Sequence, residues 1–220
     1  EMKQVKHFLK YIIGIMVMLT VVSMTMMPAL AADNPSGDCG AEGSTIAWTF
    51  DGTTLTFEGS GRMEDYGTSN RPDWYEYREQ ISTINTSGDI THIGAFAFSN
   101  CTSLTNITLP DSVATIGDSA FSGCTSLALT SLPSGLTTIG ASAFNNCTNL
   151  ALTSLPNSVT TIGASAFSGC TSLELTTLPT QLKTIGASTF SGCTSLEQLS
   201  LPLQLTTIGA SAFSGCTLAL

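Results

Sequence analysis

From residue 81 onward the apolar residues fall in a fixed order that restarts every 23 residues. A leucine-rich stretch comes first, as in Leu104-x-x-Ile107-x-Leu109, and Leu-Pro closes it at Leu109-Pro110, Leu132-Pro133, Leu155-Pro156, Leu178-Pro179 and Leu201-Pro202. Ile93, Ile116, Ile139, Ile162, Ile185 and Ile208 share one column. Phe98, Phe121, Phe144, Phe167, Phe190 and Phe213 share a second, and Cys101, Cys124, Cys147, Cys170, Cys193 and Cys216 a third. A period of this length predicts a solenoid in which each repeat is one coil. Within a coil the leucine stretch is a strand, ended by a proline that cannot donate to the ladder. Val113 and Ile116 then point inward from a second extended stretch, Gly117 turns the chain, and a short helical turn packs Ala120 and Phe121 inward. Strands beginning near Ile81, Leu104, Leu127, Leu150, Leu173 and Leu196 are expected to form one parallel sheet. A single coil buries too little apolar surface to offset the ordering of its backbone, so stability must come from stacking.

Three middle coils break the pattern, reading LALTSL, LALTSL and LELTTL. Their second apolar residue comes one place early, at Leu129, Leu152 and Leu175, and Thr130, Thr153 and Thr176 take the place that Ile107 and Leu199 hold. Two outcomes follow. If register is kept, the three leucines form an outward stripe. If the strand bulges, they return to the core. Burying leucine rather than threonine favours the bulge by about a kilocalorie or more per coil.

Ahead of the repeats, residues 33–43 are polar and Gly-rich and read as a loose end. TIAWTF and TLTFEG then flank Asp51-Gly52, a strong hairpin signal. Trp48 and Phe50 share a face, as do Leu55 and Phe57. Pro72 before DWYEYREQ predicts a short helix with Pro in its first turn. An open solenoid end would expose core and strand edges, so the hairpin and helix are expected to form a cap over residues 32–80, with repeats over 81–220. Residues 1–31 have a basic start (Lys3, Lys6, Lys10), an apolar run from Tyr11 to Val22 and the small-residue site Ala29-Leu30-Ala31, the pattern of a secretory signal peptide cleaved before Ala32. Cys216-Thr217-Leu218 has lost a residue relative to Cys193-Thr194-Ser195-Leu196, and the expectation is a repeat array that continues in the natural protein.

The recurring TIGASAFSGCTSL followed by Leu-Pro resembles the BspA-like leucine-rich repeat family of bacterial secreted and cell-surface proteins. CGAEGSTIAWTFDGTTLTFEGSGRMEDY with Trp74 is similar to the segment that precedes these repeats. The resemblance covers nearly all of residues 39–220. It implies a mainly β, right-handed superhelix with a parallel strand face, short helical turns opposite and an N-terminal hairpin cap. It also implies adhesion or protein binding at a cell surface.

Charge narrows the partner class. Net charge is −9, with Lys+Arg 7 against Asp+Glu 16. No basic patch suits nucleic acid. From Thr91 onward only Asp111, Asp118, Glu174, Lys183 and Glu197 are charged, so the repeat surface is chiefly Ser, Thr and Asn. Stacked cysteines one strand step apart (~4.8 Å) are too far separated for a disulfide, which needs Cβ atoms ~3.5–4.5 Å apart, and they are expected as a buried ladder of thiols. Cys39 lies outside it, in the cap. Catalysis has little support: His92, at the column of Thr115, Thr138 and Thr161, is expected at the surface. Glu64, Asp65, Asp73, Glu76 and Glu79 read as a solvated acidic face without a calcium-loop pattern. No metal or cofactor is called for.

The expectation is a non-enzymatic, secreted or cell-surface module that binds a protein ligand, or a glycan, through its strand face and has no membrane insertion after signal cleavage. The candidate contact residues are Thr105, Asn106, Thr108, Ser131, Ser154, Thr177, Glu197, Gln198 and Ser200, joined by Leu129, Leu152 and Leu175 if register is kept. Glu174 lies among them. The aromatic, acidic cap around Trp74 and Tyr77 is the fallback. The alternative is a structural or targeting repeat region of a larger surface protein or enzyme.

Overall fold

The computed structural model describes residues 34–218, and the expected signal peptide lies outside them. The chain opens with strands β1 (Ser36–Asp38), β2 (Ala47–Phe50), β3 (Thr54–Glu58) and β4 (Gly61–Arg62). β2 and β3 form the expected hairpin, with Trp48 facing Phe57 and Phe50 facing Leu55. Asp51 closes its turn, its Oδ1 accepting from the Thr53 and Thr54 N–H groups at 3.0 and 2.7 Å. Residues 36–38 are not a loose end: β1 pairs antiparallel with β2. Gly37 permits this, because a Cβ there would stand 2.9 Å from the Trp48 indole nitrogen.

The cap is built like a coil on its inner side. β3 runs parallel to β5 (Thr83–Ser87) over five residue pairs, and β4 runs parallel to β6 (Ile90–Ile93). Its outer side is the antiparallel β1–β2 edge, so the coil-to-coil hydrogen bonding ends without an open parallel edge. Between β4 and β5, Asp73–Tyr77 forms one 3-10 turn after Pro72. It drives Trp74 into the core, where the indole donates to the Ala97 carbonyl at 2.8 Å.

The repeats stack as expected, but the longer ladder lies elsewhere than the leucine pattern predicted. On the leucine side only β5 and β7 (Asn106–Ile107) pair as strands, and further along there is a single parallel bridge from Thr177 to Ser200. Residues near Leu127 and Leu150 form no strand. The longer ladder is on the second extended stretch. β6 is followed by β8 (Thr115–Ile116), β9 (Thr138–Ile139) and β10 (Thr161–Ile162), and in a separate two-stranded sheet β11 (Thr184–Ile185) pairs with β12 (Thr207–Ile208), each pair in register.

The reason is the early leucine of the middle coils. The Ala128 N–H donates to Thr105, a step of 23, whereas Ala151 donates to Leu129 and Glu174 to Leu152, a step of 22. Leu152 and Leu175 are buried and Thr130, Thr153 and Thr176 exposed, so the bulge is the outcome and no outward leucine stripe exists. Leu129, in the first bulged coil, is half-buried.

The opposite side of each coil is a stack of turns, not a helical turn. Ser119, Ser142, Ser165, Ser188 and Ser211 have φ of 53–56°, in the left-handed region that breaks a helix. Alternate N–H groups therefore cross to the next coil: Ser119 donates to Ala141, Phe121 to Ala143 and Gly123 to Asn145. Between these rungs the phenyl rings of Phe98, Phe121, Phe144, Phe167, Phe190 and Phe213 stack with centroids 5.3–5.6 Å apart. The cysteine thiols of Cys124, Cys147, Cys170 and Cys193 are buried beside them. Each donates to the carbonyl of the phenylalanine 26 residues earlier, at 3.0–3.1 Å. A disulfide framework has no place in this column, since its cysteines are free thiols and each from Cys124 to Cys216 has a carbonyl partner one coil back.

The Ile-Gly glycines are required by close approach rather than by turning. Gly117 and Gly163 do not have positive φ, but a Cβ at Gly163 would lie 2.4 Å from the Ala141 nitrogen. Gly163→Ala is expected to lower stability by about 3 kcal/mol, because backbone and not a flexible side chain must yield. Gly192 sits at φ 77° with its nearest neighbour 3.6 Å away, so Gly192→Ala should cost only about 1–2 kcal/mol. Urea midpoints of the two variants check the order; equal losses would refute the packing explanation.

Candidate binding face

Along the leucine side, Thr105, Asn106, Thr108, Ser131, Ser154, Thr177, Glu197, Gln198 and Ser200 are all exposed. The inward residues between them, Leu104, Ile107, Leu127, Leu150, Leu173 and Leu196, are at most 4% exposed. The predicted polar contacts therefore share one face. Leu152 and Leu175 are removed from it by burial, and Leu129 contributes only an edge.

The face is not flat. Two grooves on it lie where a regular coil meets a bulged one, where the one-residue change of step leaves the two backbones poorly matched. The smaller, about 170 Å³, lies between the 104–109 and 127–132 stretches and is lined by Ile107, Leu109, Asp111, Leu129 and Ser131 among others. The larger, about 490 Å³, lies between the 173–178 and 196–201 stretches and is lined by Glu174, Leu175, Thr176, Ser195, Glu197 and Gln198. At this second junction the ladder bond that Ala151 and Glu174 make in the preceding coils has no counterpart from Glu197.

The fallback site is not available as first read. Trp74 is 1% exposed and packs edge-on against Phe57 and Tyr66 at 5.1 and 5.5 Å. Tyr77 stacks on Phe50 at 4.9 Å. Both rings join the cap to the core. Cys39 is also buried, and burial first, then the carboxylates of Glu64, Asp38 and Asp73, push its thiol up to about 12.

His92 is buried rather than superficial, because the segment from Met63 to Tyr66 crosses over its column. Met63 donates to the His92 carbonyl and Tyr66 to that of Ala95. The imidazole Nε2 lies 2.9 Å from Asp65 Oδ1, which also accepts the Ala95 N–H at 2.7 Å. Asp65 is thus a clamp between cap and first coil and not only part of a solvated face. Burial pushes its carboxyl up, but the Ala95 N–H, the His92 hydrogen bond and the charges of His92 and Arg62 outweigh this and hold it below its ordinary range. Asp118 repeats the device in a later coil, accepting from Ala141 N–H at 2.7 Å. Sequence spacing carried no signal for this, since the column of Asp118 is alanine at 95, 141, 164, 187 and 210, and the capping segment that buries His92 has no periodic partner.

A family model described as "BspA type Leucine rich repeat region" matches residues 71–175 and 115–219, in 6 copies. No curated protein matches the sequence. The chain is similar to the crystal structure of the leucine rich repeat protein of T. pallidum, TpLRR, with TM-score 0.63 and 27% identity over 82% of this chain and 90% of that one. It is also similar to leucine-rich repeat proteins from Bacteroides ovatus (TM-score 0.54, 25% identity, 83% of this chain) and Eubacterium ventriosum (TM-score 0.51, 25% identity, 83% of this chain). It spans only 58% and 64% of those two chains. With the 23-residue coils stacked as described and the family model matching most of its length, the chain belongs to the BspA-type leucine-rich repeat family.

Proposed function

We propose that the chain is a non-enzymatic, secreted or surface-displayed module that binds a protein ligand through its leucine-side face. The observation that carries this reading is the run of exposed polar side chains from Thr105 to Ser200 over buried leucines, broken by two grooves. Such a face offers many hydrogen-bonding groups on a rigid, extended scaffold, which suits a macromolecular partner. Export is supported by the basic start, apolar run and Ala29-Leu30-Ala31 at the N-terminus. Among the described residues no helix is long and apolar enough to cross a membrane. The acidic balance argues against nucleic acid as the partner. A glycan is the weaker partner class, since the face carries no aromatic ring. The second reading, a targeting or structural region within a longer surface protein, is favoured by the 58% and 64% spans of the longer relatives.

The test immobilises residues 32–220 and challenges them with surface-protein extracts of bacterial and host cells. A chain carrying Thr108→Lys and Ser154→Lys serves as the comparison, both positions being exposed. The expected result is a discrete protein held by the parent chain and lost from the variant, with thermal unfolding unchanged. Equal capture by both chains, or none by the parent, would overturn the reading.

A further inference from the structure

Four carboxylates occur from residue 91 onward, and they divide into two kinds. Asp111 Oδ1 accepts from the Ser134 N–H and hydroxyl at 3.1 and 3.0 Å, and Asp118 Oδ1 accepts from Ala141 N–H at 2.7 Å. Both fasten one coil to the next. Glu174 and Glu197 have no such role: both are exposed, and neither carboxylate has a hydrogen bond or ion pair among the described residues. They stand 23 residues apart, in equivalent places of adjacent coils, and both line the 490 Å³ groove with Thr176, Ser195 and Gln198.

Like charges placed opposite each other on neighbouring strands repel. The two coils are joined by the bridge from Thr177 to Ser200 and by β11 and β12, which keeps both glutamates on the one groove. A cation seated between them would relieve that repulsion. Lys183, the lone cationic side chain of the coils from Thr91 on, makes no ion pair among the described residues and so leaves the groove unneutralised. A divalent metal is the poorer fit, because calcium takes ~6–8 oxygen ligands and no group of three or more ligating side chains exists among the described residues. A guanidinium is the better one. Its planar fork bonds carboxylates in pairs, its remaining N–H groups suit the Gln198 amide and the Thr176 and Ser195 hydroxyls, and it is weakly hydrated.

We infer that the groove between Glu174 and Glu197 receives an arginine side chain of an extended, basic segment of the protein ligand. This deepens the reading of the face as a protein-binding surface and rests on it for the nature of the partner. Both grooves lie at changes of coil step, so the sequence device that creates the bulge also creates the pocket, and the acidic pair selects what enters the larger one.

The probe is a blocked eight-residue peptide of alternating arginine and serine, titrated calorimetrically into residues 32–220 at near-physiological salt. A citrulline-serine peptide removes the charge at nearly constant shape. Glu174→Gln with Glu197→Gln tests the groove, and Glu42→Gln with Glu58→Gln, also exposed, makes the same change of net charge elsewhere. The groove variant is expected to bind at least tenfold more weakly and the control variant less than twofold more weakly, with the citrulline peptide failing on both. Equal weakening of the two variants would mean diffuse attraction to an acidic protein and would overturn the inference. So would absence of peptide binding to the parent chain, or calcium titrating the glutamate pair in its place. If the surface ligand is captured equally well by the groove variant, the inference falls while the face reading stands. If the parent captures nothing yet binds the peptide through this pair, the face reading falls and the groove remains a basic-segment site.

Discussion

Phe144→Ala should lower stability by about 3–5 kcal/mol, the largest loss expected from any single side chain of the repeats. The ring is fully buried and lies between Phe121 and Phe167, with centroids 5.3 and 5.5 Å away and interplanar angles of 7 and 5°. Those neighbours cannot close the gap. Each is held by its own coil's backbone, which donates forward from Phe121 to Ala143 and from Phe144 to Ala166. A cavity that cannot collapse retains its full cost. The stack is also nearly one-dimensional, so the break should divide it. Hydrogen exchange is expected to show the coils after residue 144 losing protection at lower urea than those before it. Phe213, half-buried at the far end of the ladder, supplies the comparison: Phe213→Ala should cost less than half as much. Equal effects at the two positions would refute the account of a cooperative ring ladder.

The second large effect is alkaline. Burial pushes the thiols of Cys101 and Cys147 up to about 12 from an ordinary value of 9.0, and Cys193 likewise, with the Cys216 thiol adding to it. Cys124 and Cys170 are also raised, burial again being the first cause. In the unfolded chain these thiols ionise near their ordinary value. Below pH 9 both states are protonated and the thiols' contribution is whole. Between pH 9 and 12 only the unfolded state loses protons, so stability falls as pH rises through that window. Each thiol removes about 1.4 kcal/mol per pH unit there, and several titrating together should unfold the protein well before pH 12. Urea unfolding measured from pH 8 to 11 tests this. Cys147→Ala should be less stable at pH 7, through loss of its bond to the Phe121 carbonyl, yet show a shallower fall with pH. At pH 8 a thiol reagent should leave the ladder untouched until denaturant is added, and then react without reductant. A pH slope unchanged in Cys147→Ala, or reaction in the folded state, would defeat the explanation.

Much of the fold was legible because a solenoid writes each contact many times. The Ile, Phe and Cys columns are contacts between a residue and its counterpart 23 positions away, and so the stacking partner of Phe144 can be read without any structure. The hairpin was legible for a different reason, since Asp51-Gly52 is a local signal that needs no distant partner. Burial of the thiols followed from the same arithmetic. The exposed polar positions of the binding face were equally visible, because side chains between inward leucines have nowhere else to point.

Two of the differences, at His92 and β1, share one cause, a contact that occurs only once. His92 was expected at the surface because its column holds threonines in later coils, but in the first coil that column is covered by the Met63–Tyr66 segment, which occurs once. β1 was missed because its pairing depends on the Trp48 indole resting on Gly37, a contact with no repeat to advertise it. Gly117 was assigned to turning, whereas the room it leaves is needed by the backbone of the preceding coil, with Ala95 nitrogen 2.5 Å from a Cβ placed there. The early leucines of the middle coils posed a choice between stripe and bulge, and transfer energy pointed correctly to the bulge.

The amino-acid sequence by itself determined the period, the stacking columns, the free thiols and the face on which polar side chains collect, because a repeat turns local order into long-range order. The tertiary structure alone decided which stretch carries the longer ladder and where the grooves open. That decision rests on a step of 22 in place of 23 between bulged coils, a shift whose consequence depends on which hydrogen bonds the neighbouring backbones can still make once Leu152 and Leu175 are buried.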